Sequence, residues 1–108
     1  MGSCHRAVNV AASLLPNGHV TISVTEQWSA PPCVSNVWIT HLDPTEIVSA
    51  IDRREGRQCV ANFEYPLSRA GYAYRIGDPS SALKPGRYAI SAEGAGFTSA
   101  KIIVAPAL

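Results

Sequence analysis

Charge is scarce in this chain of 108 residues. Lys, Arg, Asp and Glu make up 16% of it, against about a quarter in an average domain. Nine basic and eight acidic side chains leave a net charge of +1, too little to collect a polyanion, which excludes nucleic-acid binding by phosphate neutralisation. Long apolar runs are missing too. The longest, Ile102-Ile103-Val104-Ala105, falls far short of the eighteen or so residues a membrane-spanning helix needs. No two of the three cysteines stand as CxxC, so zinc-ribbon and thioredoxin-type chemistry lack their spacing.

Catalytic patterns are equally thin. HExxH, GxSxG and P-loop motifs do not occur. His5, His19 and His41 are scattered, and Glu46, Asp52, Glu55, Glu64, Asp78 and Glu93 form no pair suited to acid–base work. His41 and Asp43 lie close in sequence, but a solvated strand end explains them better than a catalytic pair. No catalytic residue, metal ligand or cofactor is assigned, and the chain reads as a non-enzyme.

What is present is alternation. The apolar fraction of 46% suits one folded domain, expected over 7–108 after a tether at 1–6 in which Met1-Gly2-Ser3 reads as a cloning remnant. Short period-2 segments recur every 8–15 residues between turn residues, the pattern of an all-β sandwich. Ala7 to Ser13 and His19 to Thr25 flank Asn17-Gly18, a strong hairpin signal, and Val20, Ile22 and Val24 should face inward. Val34 to Leu42, apolar on both faces around Trp38, makes a third strand, and Trp38 is expected in the core. Over 43–56 two readings compete. Asp43, Pro44 and Glu46 suit a capped helix start, whereas Ile47, Ser49 and Ile51 alternate; the strand is favoured because a lone helix must still find a sheet to cover. Gln58 to Tyr65, Gly71 to Ile76, Tyr88 to Ala92 and Phe97 to Ala105 complete seven to eight strands.

Cys33 and Cys59 flank such segments. A bridge between them would contribute about 3–4 kcal/mol by shrinking the unfolded ensemble; two buried free thiols are the alternative. The bridge is expected, on the ground that the chain works in an oxidising compartment where disulfides persist. For binding, the residue types that dominate interfaces are Trp, Tyr and Arg. The candidates are Trp28 in a proline-rich loop, the charged tip Arg53, Arg54 and Arg57, and the strand residues Tyr72, Tyr74 and Arg75.

Two resemblances add to this. Leu83-Lys84-Pro85-Gly86-Arg87-Tyr88 resembles the tyrosine corner of fibronectin-type domains, shortened by one residue, which implies an immunoglobulin- or fibronectin-like antiparallel sandwich and a tyrosine hydroxyl bonded to nearby backbone. More broadly, Cys4 near the start, the Asn17-Gly18 hairpin, the tryptophan-bearing third strand, Gly71-Tyr72-Ala73-Tyr74 and the Pro-Gly-Arg-Tyr strand together resemble small bacterial periplasmic lipoproteins, some of them described as type VI secretion immunity proteins. That resemblance implies lipidation at Cys4, outer-membrane anchoring in the periplasm because His5 follows it, and a protein partner. The partner would be an effector toxin that this chain neutralises; the alternative is an envelope or secretion machine that it helps to assemble. Contact with a membrane would run only through the lipid.

Overall fold

A computed structural model of the chain describes residues 8–26, 32–56, 58–67, 69–77, 83–94 and 97–105. All regular structure among them is strand: β1 (Val8–Leu14), β2 (Val20–Glu26), β3 (Val34–Leu42), β4 (Thr45–Arg53), β5 (Asn62–Tyr65), β6 (Tyr72–Ile76), β7 (Gly86–Gly94) and β8 (Phe97–Ala105). They form two sheets, ordered β1-β2-β5 and β6-β4-β3-β7-β8, with every pairing antiparallel. The expected all-β sandwich is what forms. The contested stretch is β4, a central strand of the larger sheet, so its proline and carboxylate start no helix.

Alternation decides what lies between the sheets. Val20, Ile22 and Val24 on β2 are buried while Thr21 and Thr25 are exposed. Facing them from the larger sheet are Val37 and Ile39 on β3, Ile51 on β4, and Tyr88, Ile90 and Ala92 on β7, all in one buried cluster. The first hairpin closes through a bond from the Gly18 amide to the Leu15 carbonyl at 3.0 Å, with Pro16 presetting the turn and Gly18 taking the left-handed conformation (φ 82°). At the β8 end of the larger sheet, which lies beside β1, Lys101 pairs with buried Ile90, so its side chain leaves from the core-facing side although it stays exposed.

The segment expected as a strand from Gln58 begins regular pairing only at Asn62. The reason is that its first residues serve both sheets. The Val60 carbonyl accepts from the Val34 amide at 3.3 Å, and the Ala61 carbonyl accepts from the Val24 amide at 2.8 Å. Beside this crossing Cys33 and Cys59 are disulfide-bonded, their Cα atoms 5.2 Å apart. The bridge closes a separation of 26 residues and ties the start of β3 to the approach of β5.

Two residues differ from their expected places. Trp38 leaves the core: its neighbours Val37 and Ile39 point inward, and the indole lies half-buried on the opposite face. Tyr72, expected on a contact surface, is buried instead, edge-on to Phe63 with ring centroids 5.1 Å apart. Its hydroxyl accepts from the Val60 amide at 3.2 Å and donates to the Val34 carbonyl at 2.5 Å. Tyr72 thus closes the same seam as the disulfide.

Candidate functional site

The outer face of the larger sheet is assembled by pairing across strands that are far apart in sequence. One row runs Ile76, Ala50, Trp38, Ser91, Ala100. The next runs Ile47, Thr40, Ala89, Ile102. Beyond it Arg87 pairs with Val104, and at the other end Asp52, Asn36, Glu93 and Thr98 form a polar row. Paired residues in a sheet share a face, so these rows make one surface.

The large aliphatic side chains exposed among the described residues all fall on it: Ile47 (41% exposed), Ile76 (37%), Ile102 (58%) and Val104 (61%). Ile47 and Ile76 lie on the Trp38 side of β7, and Ile102 and Val104 lie across it on β8. Thr40 and the small residues Ala89 and Ser91 stand between the two groups. The rim is charged. Arg75 reaches Asp52 at 3.1 Å, Thr98 donates to Glu93 at 3.4 Å, and Arg87 approaches Asp43 at 3.9 Å.

Two β-bulges place the isoleucines there. On β4, Ile39 pairs with Ser49 but Thr40 pairs with Ile47, which leaves Val48 as the extra residue. On β6, Ile51 pairs with Tyr74 but Ala50 pairs with Ile76, which leaves Arg75 as the extra residue. Simple alternation puts Ile47 with Ser49 and Ile51, and Ile76 with Tyr72 and Tyr74. Each bulge reverses the phase and sends its isoleucine outward.

The residues expected to bind are dispersed. Arg75 belongs to the rim of this face, and Tyr74 is half-buried in line with Ile51. Arg53 and Arg54 are exposed at the end of β4, where the Arg54 amide bonds to the Gly71 carbonyl at 2.8 Å. Trp28, Arg57 and Cys4 lie outside the described residues.

A second concavity, of about 460 Å³, opens at the end of the sandwich that holds the β3–β4 turn and the start of β7. His41, Glu46, Lys84 and Tyr88 line it with Pro44, Pro85 and neighbouring aliphatics. Its polar groups mostly hold the fold. Tyr88 donates to the Lys84 carbonyl at 2.7 Å, the corner contact expected from the sequence, and burial pushes its phenol above the ordinary value of 10.0. His41 donates from Nδ1 to the Pro44 carbonyl at 3.0 Å and packs edge-on against Tyr88. Gly86 (φ 146°) lies so close that an added Cβ would sit 2.8 Å from His41 Nε2. Asp43 turns toward Arg87, not toward His41. Among the described residues no group of three or more His, Cys, Asp or Glu side chains could hold a metal ion.

Searches among known protein families, curated proteins and solved structures give no match to this chain. The likeness to periplasmic lipoproteins therefore rests on its quoted residues alone.

Proposed function

We propose that this chain is an exported protein-binding module whose contact surface is the outer face of its larger sheet. The observation that carries the reading is that Ile47, Ile76, Ile102 and Val104 share one sheet face with a half-buried Trp38, a face that no described residue of the second sheet covers. Such a patch is worth most when another surface removes it from water, at about 25 cal/mol per Å² of apolar area. The disulfide supports work in an oxidising compartment, and lipid attachment at Cys4 would hold the module at a membrane. An immunity-type inhibitor of a secreted effector is the narrower form of this proposal, because occluding a toxin needs a rigid complementary surface and no chemistry of its own.

The test is a pair of charge insertions, Ile102→Glu and Val104→Glu, in the protein expressed with its native export route. Both positions are more than half exposed, so the melting temperature should stay within about 2 °C of the parent. Crosslinked partners recovered with the parent should be lost with the double variant. Undiminished recovery from a folded double variant would refute the surface.

A further inference from the structure

From the pattern of the patch we infer that the partner it fits is a second copy of this chain, stacked face to face with β7 running antiparallel over β7 of the other copy. This rests on the reading of the outer face as a contact surface. The two central rows are complementary in size. Place a two-fold axis across the strands at the level of Ile90, and the Ser91 row of one copy lies on the Ala89 row of the other. Trp38 then meets Thr40 and Ala100 meets Ile102, a large side chain against a smaller one at each position, while Ala50 is already buried within its own chain. At the centre only Ser91 and Ala89 stand between the sheets, small enough for the close approach that stacked sheets require.

Charge selects between the two ways of stacking. Glu93 and Arg87 sit six residues apart on β7, on this same face and at opposite ends of the patch. An axis along the strands would also match sizes, with Trp38 over Ala100, but would set Glu93 against Glu93 and Arg87 against Arg87. The axis across the strands sets Glu93 against Arg87 twice, as a two-fold interface must repeat each contact. Arg87 is available for this, because its contact with Asp43 is long, at 3.9 Å, and exposed at both ends.

Size sets the strength. Four strand spacings by six residues give a flat footprint of roughly 19 by 20 Å per copy. That is less than the roughly 1,200 Å² in total that stable specific interfaces bury, so the association should be weak and concentration-dependent. The exposed tip at Arg53 and Arg54 and the cleft beside Tyr88 stay outside the footprint.

Sedimentation velocity over about 1 to 500 µM decides it. The parent should shift from monomer to dimer across this range. Arg87→Glu and Glu93→Arg should each weaken dimerisation at least about tenfold, and the double reversal should recover to within about threefold of the parent. Circular dichroism and melting curves confirm that each variant folds. A parent that stays monomeric at the highest concentration overturns the second-copy proposal, as does a dimer indifferent to both single reversals or one that the double reversal fails to restore. The contact-surface reading falls separately: it is lost when the Ile102→Glu and Val104→Glu variant changes neither self-association nor recovery of a different protein.

Discussion

Ile90 and Ile102 sit one strand apart in the larger sheet, on β7 and β8, and face opposite ways. Ile90 is fully buried between the sheets, while Ile102 is 58% exposed on the outer face. The same contrast runs through β3, where Val37 and Ile39 look inward and Trp38 looks out. Both faces carry apolar residues, yet the large aliphatic ones are buried only on the inner face. What separates them is coverage: β1, β2 and β5 close one face, and no described residue of that second sheet reaches the other. A strand that is apolar on both faces is ordinary where helices or sheets cover it twice. Where one cover is missing, large side chains such as Ile102 and Val104 stay exposed.

The contrast can be broken by truncation. Ile90→Ala should destabilise the domain by about 2–5 kcal/mol in denaturant melts, because it opens a cavity in a packed core. The seam at the disulfide sharpens the inner side of the comparison. Tyr72→Phe keeps the edge contact with Phe63 but removes both hydrogen bonds, leaving the Val34 carbonyl without that donor, and should cost about 1–3 kcal/mol. Ile102→Ala should move stability of the monomer by no more than about 0.5 kcal/mol, measured in dilute solution where association does not contribute. An Ile102→Ala loss comparable to that at Ile90 would show that the outer face is covered within one chain.

The sequence was most legible where a local rule acts alone. Val20, Ile22 and Val24 alternate next to a turn with its own signature, so their inward direction follows from period 2. The tyrosine corner was also readable, because its hydrogen bond joins residues only four apart. The pairing of Cys33 with Cys59 followed from the two segments they flank and from the compartment expected for them. The aromatic residues were harder. Trp38 and Tyr72 exchange their expected places because residue type does not fix which face of a doubly apolar strand is inside; partners on other strands do.

The outer patch could not have been read from local pattern. Its members come from β3, β4, β6 and β8, and only the pairing of those strands unites them. Two of them, Ile47 and Ile76, also owe their direction to bulges, which leave no trace in alternation beyond an extra residue. Val48 and Arg75 are those extra residues.

Lys101 bears on how that flank of the sandwich is finished. β1 of the smaller sheet runs close beside β8, so the two sheets approach each other there. Lys101 leaves β8 from the core-facing side, next to the position of Ile90, yet stays exposed. Its aliphatic stem can line the margin of the core while its ammonium group stays in water, so the boundary between dry interior and solvent falls within one side chain.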